Sequence, residues 1–386
     1  MDSSVINGAG AYAIFYASNQ DATFTFRGFT LTAFAVTAAI SSESGNINVE
    51  NIEVDGAGTS FAGNAAAIIL SNTGTVDNTV DASNVYVHNF HHAVGAVNTF
   101  AIGTSGSVRT TFTARNITIS DILNTQGGGA VNGFLLGVGI FGGAPGTLGL
   151  TGTANNITVT DVQSDVVNGF GVIAAAGGVS NTASSVRLQN ATITHITATT
   201  QGSAIGAGGA GFQEGDIGSS SLTIKNVLIA DNKVTQQCNI LDITYIFSGA
   251  GVGTGAITSD GGNLVDDTSC SAYLTQPSDQ SNISNLKDYL GPLSFNGGFV
   301  PTIPLLQGSP AIDSGVAVSG LTNDARGAVR PQGAAYDSGA YESPYTKPVV
   351  FLASTGGNVT RSLILATAAM LTSAVLGILA LKLNRS

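Results

Sequence analysis

The chain has 386 residues, enough for one large domain or two ordinary ones, with 10% charged residues, 51 glycines and no tryptophan. Its 13 basic against 24 acidic residues give a formal charge of −11, which argues against nucleic acid or anionic membrane surfaces as partners. Such sparse charge is also found in membrane and disordered chains. Here, however, Val, Ile, Phe and Leu alternate with Thr and Asn, the pattern of half-buried β-strands. No helix-period segment precedes the C-terminal end, so the class read from the sequence is all-β. The start, "MDSSVINGAG", has neither a basic nor an apolar leader region, so a longer upstream reading frame is expected.

Residues 1–276 carry an internal repeat. "INVENIEV", "VDASNVYV", "FTARNITI", "GTANNITV", "VRLQNATI" and "LTIKNVLI" align on Asn51, Asn84, Asn116, Asn156, Asn190 and Asn226. Successive spacings are 33, 32, 40, 34 and 36 residues. "FTFRGFTL" fits the frame with Gly28 in the Asn place, and a weaker copy centres on Asn263.

Apolar residues stand two before the Asn (Val49, Ala82, Ala114, Ala154, Leu188, Ile224). They stand again one after it (Ile52, Val85, Ile117, Ile157, Ala191, Val227) and three after it (Val54, Val87, Ile119, Val159, Ile193, Ile229). The period of two therefore slips by one at each Asn. Such a slip reverses the buried face unless the chain bends there, and Asn tolerates a left-handed bend. The arrangement predicts corners between strands in a stacked parallel β-helix, with the amides of successive coils bonded in an asparagine ladder. About eight coils at ~4.8 Å each predict a rod roughly 40 Å long. A β-propeller would also recur at about 40 residues, but no Trp-Asp pair is present.

The repeat resembles the right-handed parallel β-helices of the pectate-lyase type. The resemblance implies that fold and leaves function open, since the fold hosts enzymes and non-enzymes alike.

Several features within the repeat bear on chemistry. Gly/Ala-rich stretches such as "VNGFLLGVGIFGG" and "SAIGAGGAGF" read either as a shallow groove or as a second inward-facing strand of small residues. His88, His91 and His92 fall together in "VHNFHHAV", without a carboxylate in the stretch, and read as solvated turn residues rather than a metal or acid–base site. Glu214 and Asp216, with Asp266 and Asp267, are the acids available for sugar cleavage, which requires a defined separation that sequence does not supply. Thr113, Thr118, Thr153, Thr158, Thr192 and Thr223 occupy outward places, either as a hydroxyl array for a glycan or as ordinary β-formers. No residue is assigned a catalytic, cofactor or metal role.

Cys238 and Cys270 lie 32 residues apart, close to one coil, which would suit the ~4.4–6.8 Å Cα separation of a disulfide. Their offsets from the neighbouring Asn markers differ, so the spacing leaves the bond open.

Eight of the nine prolines lie from Pro277 onward, marking residues 277–345 as a separate cap. Its Asp313, Asp324, Arg326, Arg330, Asp337 and Glu342 read as ion pairs and turn bonds that would cover the exposed edge of the last coil. "GPLSFNGGFVPTIPLLQGSPAIDSG" and "LTNDARGAVRPQGAAYDSGAYE" resemble the choice-of-anchor Q family, bacterial surface proteins with a β-helix and varied anchoring signals. That family often has Cys where Tyr336 stands.

Residues 346–362 form a linker containing Leu352, Ala353, Ser354, Thr355 and Gly356. Residues 363–381 form an uncharged run of 19, just under the ~30 Å of a bilayer core at ~1.5 Å per residue, followed by a basic tail at 382–386. This layout resembles a Gram-positive sorting signal with Ala353 in the Pro place, as in substrates of class E sortases. The resemblance implies cleavage between Thr355 and Gly356 and joining of Thr355 to a peptidoglycan amine. It makes sortase, peptidoglycan and the membrane the implied partners. The function expected is a cell-wall-anchored adhesin or structural surface protein contacting a glycan or another cell, the alternative being a secreted polysaccharide lyase or glycoside hydrolase.

Overall fold

A computed structural model describes residues 4–7, 15–32, 40–57, 60–62, 65–72, 76–94, 97–104, 109–124, 130–138, 148–176, 181–211, 214–241 and 251–347. Residues Met1–Lys347 form one compact unit. The sorting pentapeptide Leu352–Gly356 and the apolar run 363–381 lie outside the described residues. Among the described residues no helix is long and apolar enough to cross a membrane.

Fifteen strands join in one sheet, and every strand pair is parallel. The winding is an all-β parallel solenoid of about five turns, fewer than the eight coils expected from the repeat count. Pairing shortens toward the C-terminal end of the repeat. The strand Val252–Ser259, for example, pairs for eight residues, whereas Leu148–Ala176 and Asn181–Gly211 pair along nearly their whole length.

Each coil turns where the phase slip requires. Asn51, Asn84, Asn116, Asn156, Asn190 and Asn226 all have φ between 52° and 56°, the left-handed region, and Gly28 has φ 73°. The bend points apolar residues inward on both sides. Ile52, Val85, Ile117, Ile157, Ala191 and Val227 are fully buried, as are Val54, Val87, Ile119, Val159, Ile193 and Ile229. The ladder follows. Asn84 Nδ2 donates to Asn51 Oδ1 at 2.8 Å, Asn116 to Asn84 at 2.9 Å, Asn156 to Asn116 at 3.0 Å, and Asn226 to Asn190 at 2.7 Å. The expected continuous ladder is interrupted once, because Asn156 Oδ1 and Asn190 Nδ2 are buried without a partner. The cap takes part here, with Asn156 Nδ2 also donating to the carbonyl of Asn323.

The Gly/Ala-rich stretches form the opposite wall and carry a second ladder. Asn132 donates to Asn98 at 2.8 Å, Asn168 to Asn132 at 3.0 Å, and Ser203 to Asn168 at 2.8 Å. Phe100, Phe134 and Phe170 stack beside it edge-to-face, with centroids 4.7 and 5.1 Å apart. Small residues are needed because two walls converge at this end. A Cβ on Gly209 would stand 2.0 Å from the Gly218 carbonyl oxygen, and one on Gly218 would stand 2.3 Å from that of Ala174. The stretches are thus packed walls, not a groove.

Cys238 and Cys270 are joined in a disulfide with Cα atoms 5.0 Å apart, both buried in the main core. The differing offsets are absorbed because Cys238 sits in the strand Gln236–Ile240, whereas Cys270 follows a turn after Asp267.

The Pro/Gly-rich segment does more than cover an end. Its first part continues the last coil, where Gln280 pairs with Leu264. The rest folds back along the flank, over residues that follow Asn116, Asn190 and Asn226. The Thr118 hydroxyl donates to the Pro301 carbonyl at 2.8 Å, Ala340 N–H to the Thr192 hydroxyl at 3.0 Å, and Gly339 N–H to the Asn226 carbonyl at 2.9 Å. Apolar contacts join Leu228, Ala230 and Leu264 to Leu286, Leu305, Ile312 and Tyr341. The outward threonines therefore do not form one array. Thr118, Thr158 and Thr192 are buried, whereas Thr113, Thr153 and Thr223 are half-buried on the open side of the corner.

Inside the cap, Arg330 donates to Glu342 at 2.8 Å, with both side chains fully buried. Arg326 bonds Asp324 at 2.8 Å and lies 3.6 Å over the Tyr341 ring. The buried carboxylates Asp324, Asp337 and Glu342 outnumber these two guanidinium groups. Burial pushes the Asp337 carboxyl up to about 7, although its oxygens accept N–H groups of Asp313 and Ser343.

Two outcomes follow. Replacing both Cys238 and Cys270 with Ser should cost about 3–4 kcal/mol by the loop-entropy estimate for 32 residues, read by urea unfolding. The folded state holds the Asp337 proton more tightly than the unfolded chain, whose value is 3.8. That contribution to stability is present in full at low pH and is lost as pH rises through about 7. Melting of the cap should therefore fall between pH 5 and pH 8, by roughly a few degrees on general stability scales, and Asp337→Asn should flatten that slope.

Candidate functional site: an acidic corner groove

Five residues after Asn84, Asn116, Asn156, Asn190 and Asn226, the chain turns left-handed a second time. Asn89, Asp121, Asp161, His195 and Asp231 have φ between 54° and 62°. Asn, Asp and His are the side chains that best tolerate this region, so the corner selects polar groups and stacks them one per coil. The next residue points inward, as with the buried Ile122, Val162 and Ile196, and the one after points out, giving a row of His91, Leu123, Gln163, Thr197 and Lys233.

Between corner and row lies a cavity of about 320 Å³ lined by Asp121, Ile122, Leu123, Asp161, Gln163, His195 and Thr197. The imidazole of His195 sits between carboxylates of the coils on either side. Its Nε2 is 3.1 Å from Asp231 Oδ2, and its Nδ1 is 3.5 Å from Asp161 Oδ1 and 3.3 Å from the Thr160 hydroxyl. Both ring nitrogens lie beside side-chain oxygen atoms of the neighbouring coils. The side chains are about half exposed, so these ion pairs orient the groups more than they stabilise the fold.

The other candidates are dispersed. His88 is not a solvated turn residue. Its Nε2 is 3.0 Å from Glu53 of the preceding coil, and its ring stacks 4.1 Å from Tyr86. Hydrogen bonding to His88 holds the Glu53 carboxyl below its ordinary range. His91 is exposed, 3.4 Å from Asp121 of the following coil. The His92 side chain lies outside the described residues. Asp216 is buried at the end of the Gly/Ala wall near Gly211, and Glu214 is exposed. Asp266 instead accepts the Asp231 N–H at 2.7 Å, its carboxyl raised chiefly by burial, and Asp267 holds a turn through Ser269. The two acidic stretches thus serve different walls. No three His, Cys, Asp or Glu residues are grouped to hold a metal ion among the described residues.

The second corner was legible as "NITISD", "NITVTD", "NATITH" and "NVLIAD", each with a polar residue five places after the ladder Asn. An eight-residue repeat frame ends two places short of it. No protein-family model, curated protein or solved structure matches this chain.

The corner geometry has a direct thermodynamic consequence. Asp161→Ala puts an ordinary side chain at φ 54° and should cost about 1–2 kcal/mol. Asp161→Gly, free to adopt that φ, should cost less. Thermal melting of the two variants compares them.

Proposed function

We propose that this chain is a cell-surface β-helix protein, anchored in the cell wall, that acts as an adhesin or structural surface protein through its corner groove. The observation that carries the reading is the groove itself, an open row of polar side chains fixed on the corner of a solenoid stiffened by ladders, a disulfide and a flank-packed cap. The Cys238–Cys270 bond fits an oxidising location outside the cell.

The finer assignments belong to the same proposal. The winding is of the right-handed pectate-lyase type, residues 277–345 are a choice-of-anchor Q segment, and residues 363–381 span the membrane until sortase cleaves after Thr355. Many weak contacts from wall-presented copies would give firm attachment without a deep pocket. A polysaccharide lyase or hydrolase on the same fold draws less support, because the acids Glu214 and Asp216 stand on a different wall from Asp266 and Asp267.

Muramidase-released wall material from the native organism tests the anchoring. A peptide ending at Thr355 and carrying a wall-peptide amine is the expected product in mass spectra. An intact C-terminus confined to membrane fractions would overturn wall attachment.

A further inference from the structure

We propose that the strand wall preceding the ladder corner binds ice, holding crystalline water on a two-dimensional array of hydroxyl groups. This wall lies before the ladder Asn, whereas the cap and the acidic groove lie after it, so the inference does not depend on the groove. The fifth residue before each corner faces outward as Thr23, Thr79, Thr111, Thr151, Ser185 and Ser221, with Asn46 and Ala256 completing the column. The third residue before gives a second column containing Thr25, Thr113, Thr153, Thr223 and Thr258. Hydroxyl side chains thus fill six of eight places in one column and five of eight in the other, whereas the next column toward the corner holds the charged Arg27, Glu50, Arg115, Lys225 and Asp260. Charge is therefore tolerated on this wall, and strand preference alone does not account for two columns nearly free of it.

The spacing is that of a lattice. The register runs without a slip from Thr23 and Thr25 to Ala256 and Thr258. Neighbouring strands stand ~4.8 Å apart, and residues two apart along a strand ~6.6 Å. Side-chain ladders are a device that keeps a many-stranded sheet flat, and the Asn51–Asn84–Asn116–Asn156 ladder borders this wall. Water bonded at O···O distances of about 2.8 Å in a tetrahedral net repeats at ~4.5 Å within a layer and ~7.3 Å across layers. Each spacing of the wall comes within about a tenth of one of these repeats. Threonine is stiff at χ1, so its methyl and hydroxyl hold their places before a crystal face arrives.

The side-chain chemistry selects water over other flat partners. Thr111, Thr151 and Ser185 are exposed at the centre of the wall, and their hydroxyls have no side-chain partner among the described residues. Each can donate one hydrogen bond and accept two, as a lattice water requires of its neighbour. The two charges within the columns are tied back, Asp81 to Arg115 at 3.1 Å and Arg187 to Asp260 at 2.8 Å. Neither column nor the charged one beside them contains an aromatic residue, so the wall has no ring to stack on a sugar face.

The test grows ice slowly from a solution of the purified full chain in mild detergent and measures the fraction of protein captured in the crystal. An unrelated acidic protein in the same detergent is the comparison. Enrichment in ice over that protein is expected, with a gap between melting and freezing points that detergent alone does not give. The double variant Thr111→Tyr, Thr151→Tyr keeps strand-favouring residues at exposed places but breaks the plane. Its capture should fall about tenfold, the change made by ~1.4 kcal/mol, while circular dichroism still shows the folded β signal. Thr151→Lys alone carries the same test should the double variant unfold. Gln163→Tyr, in the corner groove, should be captured as the parent is. The inference fails if the parent is not enriched, if the folded Thr variants are captured as the parent is, or if Gln163→Tyr loses capture equally. Retention on microcrystalline cellulose or chitin without capture by ice would assign the wall to a glycan and overturn it.

Discussion

The structure depends on a one-residue phase slip at a left-handed corner. In a flat strand, period-two apolar residues that change phase would point half their side chains into water. A single residue at φ near +55° turns the chain so that both halves face the same interior. The corner must then be an Asn, Asp, Gly or similar residue, because other side chains are strained there. Repeating the corner once per coil places identical residues above one another, and the amides bond along the stack. Core and ladder both follow from that local requirement.

The same requirement builds the candidate site. A second left-handed corner five residues later has the same selection for short polar side chains, yet here the residues are one asparagine, three aspartates and a histidine. Aspartates cannot pair with one another as amides do, so this column does not close on itself as the first does. His195 stands between two of its carboxylates. One backbone device thus gives a column of bonded amides at one corner and a column of mixed polar side chains at the next.

The cap shows what the solenoid alone leaves unresolved. The short wall after the ladder carries outward Tyr86, Thr118, Thr158, Thr192 and Leu228, a mixed polar and apolar face. The return segment covers it with backbone hydrogen bonds and a small apolar cluster, held from within by the Arg330–Glu342 pair. Removing one member of such a buried pair strands the other charge, which explains why an irregular, Gly-rich segment needs so many charged residues.

The corner positions, the inward columns from Val49 to Ile229 and the all-β parallel winding were readable from the sequence, because each depends on spacing within a few residues. The second corner obeys the same local rule and was legible too, once the frame reached five places past the Asn. Three features were not. The number of full turns depends on how far each partial strand pairs with its neighbours. The Cys238–Cys270 bond depends on where a turn after Asp267 places the second sulfur. The path of the cap depends on contacts between residues more than a hundred positions apart, such as Thr192 with Ala340 and Thr118 with Pro301. Local backbone preference determined the coil, and only long-range packing decided which of its faces are covered and which remain exposed.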